Sequence, residues 1–81
     1  MEIYITRRAQ NELSNLSVEN KIRVTEKIRS LMRYRDPLVF AKYIATEKSH
    51  RWRSGDYRIF FERHAGAIHI MSIRRRDKAY D

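Results

Sequence analysis

The chain has 81 residues, enough for one small domain, and no linker divides it, so we predict a single domain over residues 1–81. It carries 18 Lys and Arg against 10 Asp and Glu, a formal net charge of +8 that favours nucleic acid or an acidic protein as partner. The lack of cysteine excludes disulfides and thiolate metal sites. With no membrane-length apolar run and no signal-peptide pattern, we expect a cytoplasmic protein without a membrane partner.

The first half of the chain predicts one strand and two helices. Residues 1–5 are rich in β-forming side chains, and Thr6 is a suitable N-cap for a first helix. That helix carries apolar residues at helical spacing, namely Ala9, Leu13 and Leu16. Ser17 is a second N-cap, and the helix after it should end before Pro37, which disfavours helical geometry at the preceding residue. The two helices should therefore form a hairpin.

The second half of the chain predicts a run of strands. Residues 38–47 show no clean period, and we expect an irregular connection there, with room for a helical turn. Three strands should follow, at residues 48–53, 57–63 and 67–74. The turns between them hold Gly55 and Gly66, which tolerate the positive φ of tight hairpins.

This order of elements predicts an α+β fold. An N-terminal strand and a two-helix hairpin would precede a three-stranded antiparallel meander, and both helices would pack on one face of a small, mostly antiparallel sheet. The opposite face of the sheet would remain available for polar side chains.

Several arginines are expected on that open face. Alternation in strand 57–63 turns Tyr57, Ile59 and Phe61 towards the helices and Arg58 away from them. Arg51 and Arg53 share one face of the preceding strand. Periodicity does not say which face of the last strand is buried, but Arg74 stands at its end and can reach the open face either way. An ordinary ion pair of Arg58 with Asp56 or Glu62 is the competing interpretation.

These residues resemble a known family. The segment Arg53-Ser-Gly-Asp-Tyr-Arg58-Ile-Phe-Phe, followed by a hairpin and a closing Arg74-x5-Tyr80, looks like the RelE/ParE superfamily of toxins from type II toxin–antitoxin systems. The likeness covers nearly the whole chain, and the spacing from Arg74 to Tyr80 resembles the RelE branch. Members of that branch are ribosome-dependent mRNA endonucleases, or mRNA interferases.

The resemblance implies a set of site residues. The catalytic group would be Arg58, Arg74, Tyr80, Arg51 and Lys48. Further nucleic-acid contacts would come from Arg53, Arg75, Arg76 and His50. The family's two lysines in the strand before the glycine turn correspond here to Ser49 and Arg51, so one lysine is replaced by arginine and the other is absent or shifted to Lys48.

The chemistry of RNA cleavage is consistent with these residue types. Attack by the 2′-oxygen requires a base, stabilisation of the phosphorane and protonation of the 5′-oxygen, and arginines offer a fixed fork of donors to phosphoryl oxygens. Arginine does not release its proton near neutral pH, so the base is to be sought among Tyr80, Lys48 and His50. Tyr80 could equally stack on a nucleobase. No metal or cofactor is implied, and the resemblance implies a 2′,3′-cyclic phosphate and a free 5′-hydroxyl as products.

Two other functions stay open at this level. A ParE-like toxin would inhibit DNA gyrase and cut no RNA, and a degenerate member would bind RNA without catalysis. The expected partners of the leading interpretation are a cognate antitoxin and the ribosome with mRNA in its A site, with no small-molecule ligand. An acidic, amphipathic antitoxin segment would complement so basic a chain.

Overall fold

Side-chain caps start both helices where the sequence predicts. In a computed structural model that describes residues 2–76, the Thr6 hydroxyl accepts from the Ala9 amide at 3.3 Å, and the Ser17 hydroxyl accepts from the Asn20 amide at the same distance. Each cap satisfies one of the free amides of a first helical turn. The elements that result are β1 (Ile3–Ile5), α1 (Arg7–Ser14), α2 (Val18–Leu31), a 3-10 helix (Pro37–Phe40), β2 (Lys42–Ile44), β3 (Ser49–Ser54), β4 (Tyr57–His64) and β5 (Ala67–Arg75).

The connection after α2 is more ordered than predicted. The 3-10 helix provides the helical turn for which the expected irregular connection over residues 38–47 left room, whereas the short strand β2 was not predicted. The Asp36 carboxylate accepts from the Leu38 amide at 3.1 Å, which caps the 3-10 helix. The indole nitrogen of Trp52 donates to the Pro37 carbonyl at 3.2 Å, so this segment is tied to the core.

The sheet has five strands in the order β1-β5-β4-β3-β2. Its three hairpin pairings are antiparallel, whereas β1 lies parallel to β5, so the predicted α+β fold with a mostly antiparallel sheet is confirmed. Gly55 and Gly66 occupy the two predicted turns with φ of +60° and +77°, a region that favours glycine.

The core lies between the helices and one face of the sheet. Trp52, Ile59 and Phe61 pack there against α2 residues such as Val24 and Leu31, and the Trp52 and Phe61 rings stack with centroids 3.9 Å apart. None of the helices among the described residues is long and apolar enough to cross a membrane.

An irregularity in β5 decides which residues face the core. Phe60 pairs with Ser72 while Phe61 pairs with Ile70, so Met71 is an extra residue on β5, as in a β-bulge. Ile70 and Ile73 are both buried in the core cluster, although strict alternation would separate them. The bulge thereby turns Ser72 and Arg74 to the opposite face.

Candidate nucleic-acid interface

Three arginines stand side by side across the middle of the sheet. Arg53 on β3 lies directly opposite Arg58 on β4, and Arg58 lies directly opposite Arg74 on β5. All three belong to the open face, the sheet face turned away from the helix-covered core, and we call them the arginine row. Like charges placed opposite one another destabilise a sheet, so this arrangement calls for a compensating anion.

Arg58, at the centre of the row, is far less accessible than predicted. It lies on the expected face, yet only 2% of its surface is exposed. Its Nη1 donates to the carbonyls of Gly55 and Tyr57, each at 3.2 Å, and its buried Nε has no hydrogen-bond partner among the described residues. Withdrawing a guanidinium from water without a carboxylate beside it costs several kcal/mol, so the fold holds this cation at an energetic disadvantage.

Arg74 is held over the open face by two contacts. Its Nη2 lies 3.3 Å from Oε2 of Glu47, in the turn between β2 and β3. Its guanidinium carbon lies 4.0 Å from the centroid of the Phe60 ring, a cation–π contact that covers an aromatic residue buried outside the core cluster. Its Nε is also buried without a partner among the described residues. The side chain is therefore fixed in direction with donors left unused.

Among the described residues, the arginine row has few acidic partners. Within residues 2–76, Glu47 is the one carboxylate at ion-pair distance from any of the three arginines. Glu62, the sequence-based alternative partner of Arg58, instead lies 2.8 Å from the ring of His64. The described part of the chain thus leaves the arginine row with an excess of positive charge.

A contact between α1 and β5 positions the end of the row, and sequence reasoning missed it. Because β1 covers β5 only up to Ile70, the next stretch of that edge faces α1. Glu12 of α1 accepts from the hydroxyl of Ser72 and from the amide of Ile73, both at 3.0 Å. These bonds fix the strand directly before Arg74.

Arg51 lies on the face of the row, and Lys48 lies in the turn between β2 and β3. Arg51 is opposite Phe60 in register, hence on the open face, and it is 7% exposed. Lys48 is exposed in the turn that also carries Glu47, with a φ of +52°. Arg51 therefore shares the face of the arginine row, whereas the role of Lys48 stays a prediction.

His50 and Arg75 lie on the helix side of the sheet by register, not in the arginine row, and their expected role as nucleic-acid contacts stays a prediction. The His50 ring lies on the helix side of β3, 5.4 Å from the Phe61 ring and 5.1 Å from the Tyr43 ring. Arg75 lies opposite Tyr57, on the core side by parity. Both positions follow from alternation along the strands. His50 points to the same side of β3 as Trp52, and after the bulge Arg75 points to the same side of β5 as Ile73.

The last predicted site residues lie at the end of the chain. Arg76 is exposed, and its amide donates to the Asp56 carbonyl at 2.6 Å, beyond the end of β5. Tyr80 lies outside the described residues.

A groove opens next to the row at the β2 edge of the sheet. It has a volume of ≈ 340 Å³ and is lined by Val39, Phe40, Ala41, Lys42, Arg51 and Arg53. Among residues 2–76, no three His, Asp or Glu side chains come together as ligands of a metal ion would.

The architecture of the chain is that of a known fold. A two-helix layer on a five-stranded mixed sheet in this order is the RelE-like fold. The chain is similar to a chain in the crystal structure of the toxin–antitoxin complex RelBE2 from Mycobacterium tuberculosis, with a TM-score of 0.79 and 22% identity over 93% of this chain and 96% of that one. No protein-family model and no curated protein matches the sequence.

Proposed function

We propose that this chain is the toxin of a type II toxin–antitoxin system and acts as a ribosome-dependent mRNA endonuclease. The observation that carries the proposal is the arginine row, in which Arg53, Arg58 and Arg74 face one another with a single carboxylate at ion-pair distance among the described residues. A fixed group of guanidinium donors is matched to phosphoryl oxygens. The likeness to a chain of a toxin–antitoxin complex supports the biological setting.

The proposed reaction uses the RNA's own 2′-hydroxyl. Its oxygen forms a bond to the adjacent phosphorus as its proton passes to a base, and the bond from phosphorus to the 5′-oxygen breaks as that oxygen takes a proton. The products are a 2′,3′-cyclic phosphate and a 5′-hydroxyl. Arg53 and Arg74 hold the non-bridging oxygens, on which negative charge builds in the transition state.

Arg58 contributes through its position between these two residues. With 2% exposure it stabilises the phosphorane by its charge, at a site where low polarity strengthens electrostatic attraction. Direct contact with an oxygen requires the groups that cover it to shift. Arg51, on the same face, adds positive charge next to the row.

The proton carriers we propose are Lys48 and Tyr80. Lys48 is exposed in the turn that also carries Glu47, the residue whose carboxylate contacts Arg74, and we propose that its amine reaches the phosphate bound there. Tyr80 is proposed from the resemblance of the closing segment to the RelE branch. His50 is a weaker candidate, because it lies on the other face of the sheet.

The proposed partners follow from charge and from the fold relative. We propose that a cognate antitoxin binds the chain in the cytoplasm and inhibits it. The similar chain comes from a structure of a toxin–antitoxin complex, which supports this partner. The ribosome would present mRNA in its A site, and the formal charge of +8 favours docking to ribosomal RNA.

A non-catalytic RNA-binding role is the second candidate. The observations that favour it are the burial of Arg58 and the arginine at position 51 where the RelE branch has a lysine. Such a protein would use the row to bind phosphate and leave the backbone intact.

The deciding experiment is cleavage on translating ribosomes. Purified protein is added to ribosomes with a defined mRNA, and breaks are mapped by primer extension with and without translation. Breaks in phase with codons, present only on translated message, are the expected result. Binding without breaks would favour the non-catalytic role, and inhibition of gyrase supercoiling without RNA breaks would favour a ParE-like toxin.

A further inference from the structure

The groove at the β2 edge is a mixed surface of aromatic and cationic side chains. The Phe40 side of the groove is apolar and open to solvent, since Phe40 is 51% exposed and Val39 is 74% exposed. The strand side is cationic and consists of Lys42 from β2 with Arg51 and Arg53 from β3. An exposed aromatic ring facing cations is the combination by which proteins bind single-stranded nucleic acid.

The Phe40 ring has contacts that limit its movement. The Tyr34 ring lies against it, with centroids 4.7 Å apart and planes inclined by 56°. The 3-10 helix that carries Phe40 is capped by Asp36 and bonded to the Trp52 indole through the Pro37 carbonyl. A ring fixed in this way loses little freedom when a ligand stacks on it.

Two cations of the groove, Lys42 and Arg53, have no acidic partner among the described residues. Within residues 2–76, neither Lys42 nor Arg53 has a carboxylate at ion-pair distance, and both side chains are exposed. Arg53 also belongs to the arginine row, so the groove and the proposed phosphate site are continuous. A chain that carries phosphates and unstacked bases in alternation fits both parts at once.

We propose that this groove is a nucleobase-binding subsite: Phe40 stacks on the base of a nucleotide that neighbours the bound phosphate, while Lys42 and Arg53 contact its backbone. The proposal rests on the proposed function for the identity of that phosphate, and it deepens it by naming single-stranded RNA with an unpaired flanking base as ligand.

The test is a binding cycle between protein and RNA variants. A short fluorescein-labelled 2′-O-methyl RNA, which cannot be cleaved because its nucleophile is blocked, is titrated by fluorescence anisotropy. A series of the same RNA has each base replaced in turn by an abasic unit. Wild-type protein should lose roughly 5- to 100-fold in affinity at one position of the series, as expected for one stacked base.

The protein variants make the cycle specific. Phe40→Ala should weaken binding of the intact RNA by the same factor and become insensitive to the abasic unit at that position. Phe40→Tyr should bind like wild type because the ring remains. Tyr43→Ala is the matched control. Tyr43 is an exposed aromatic residue of β2 that contacts His50 on the helix side of the sheet, so its removal should leave RNA affinity unchanged.

Several results would overturn the subsite. They are the absence of measurable RNA binding by wild-type protein, an unchanged affinity of folded Phe40→Ala, or equal sensitivity of both proteins at every abasic position. Sedimentation that shows Phe40→Ala abolishing self-association would assign the ring to a contact between copies of the chain. If Phe40 proves to stack on a base but the protein never cuts mRNA on ribosomes, only the proposed function is overturned. If the protein cuts mRNA but the effect of the abasic unit does not depend on Phe40, only the subsite is overturned.

Discussion

At the scale of single residues, burial of the Arg58 charge lowers the stability of the fold, while the proposed function uses that charge. Its guanidinium is nearly fully buried, with two carbonyl partners and, within the described residues, no carboxylate at ion-pair distance. Buried charges of this kind are commonly less stable than well-packed hydrophobic residues of similar volume. An anion bound near the arginine row would offset this cost.

Arg58→Met tests this opposition. Because the desolvated charge is removed and the side-chain length is kept, the free energy of unfolding in urea should rise by about 1–3 kcal/mol. Cleavage on ribosomes should fall by roughly 10²–10³. Arg63→Met, at an exposed arginine of the same strand, should shift stability by no more than about 0.5 kcal/mol. A destabilised Arg58→Met would mean that the two carbonyl hydrogen bonds outweigh desolvation.

Arg74→Ala tests whether Arg74 donates hydrogen bonds to phosphate or only stabilises the fold. We expect loss of growth inhibition and a fall in cleavage of roughly 10²–10³, since one preorganised donor to the transition state is lost. Arg74→Lys should recover only part of the rate, because a lysine keeps the charge without the planar fork. Circular dichroism should show both variants folded, and Arg63→Ala serves as the control. Full toxicity of folded Arg74→Ala would remove this residue from the site.

Tyr80 is tested by dividing its ring from its hydroxyl. If the phenol transfers a proton, Tyr80→Phe and Tyr80→Ala should be equally inactive while binding to ribosomes stays close to wild type, because docking is spread over many Lys and Arg contacts. If the ring stacks on a base, only Tyr80→Ala should be inactive, and Lys48 becomes the candidate base. Normal cleavage by both variants would remove Tyr80 from the mechanism.

At the scale of elements, the turn between β2 and β3 places a carboxylate in competition with the ligand. Glu47 contacts Arg74 at 3.3 Å and is partly exposed, so it competes with a bound phosphate for the Nη2 donor of Arg74. Partly exposed ion pairs contribute up to about 1 kcal/mol, which sets the size of the competition.

Glu47→Gln should therefore tighten RNA binding by roughly 2- to 5-fold, in line with the loss of an ion pair of up to about 1 kcal/mol. The same substitution should lower the free energy of unfolding by less than about 1 kcal/mol. Titration of an uncleavable RNA and urea denaturation provide the two measurements. Glu62→Gln, at a carboxylate paired with His64 instead, should leave RNA affinity closer to wild type. Weaker binding by Glu47→Gln would show that the carboxylate orients Arg74 rather than competing for it.

The elements differ in how far they could be predicted. Both helix starts follow from their caps at Thr6 and Ser17, and the hairpin turns follow from Gly55 and Gly66, because these signals are local. Strand β2 has three residues and no alternation, so its pairing with β3 leaves no local signal.

The candidate site was predictable in part for the same reason. Alternation alone puts Arg53 and Arg58 on the open face. The position of Arg74 depends on the extra residue Met71, which a count of every second residue does not reveal. The bonds from Glu12 to β5 join residues that are distant in sequence, and they exist because β1 ends before β5 does.

At the scale of the whole molecule, a formal charge of +8 on 81 residues makes attraction to RNA a general property of the chain. The residues of the row and groove must be distinguished from this background. The dependence of affinity on salt makes that distinction, because each phosphate contact releases counterions, whereas stacking of a base on a ring does not.

The salt dependence of RNA affinity should differ between variants of the arginine row and groove and a variant elsewhere on the surface. For a single strand, each phosphate contact adds about 0.7 to the slope of log affinity against log salt concentration. Arg53→Gln and Lys42→Gln should each lower the slope by about that amount. Phe40→Ala should weaken binding at every salt concentration and leave the slope unchanged. Lys21→Gln, on α2, controls for the overall loss of one charge, and an equal change of slope there would mean that RNA is bound by diffuse charge rather than at the row.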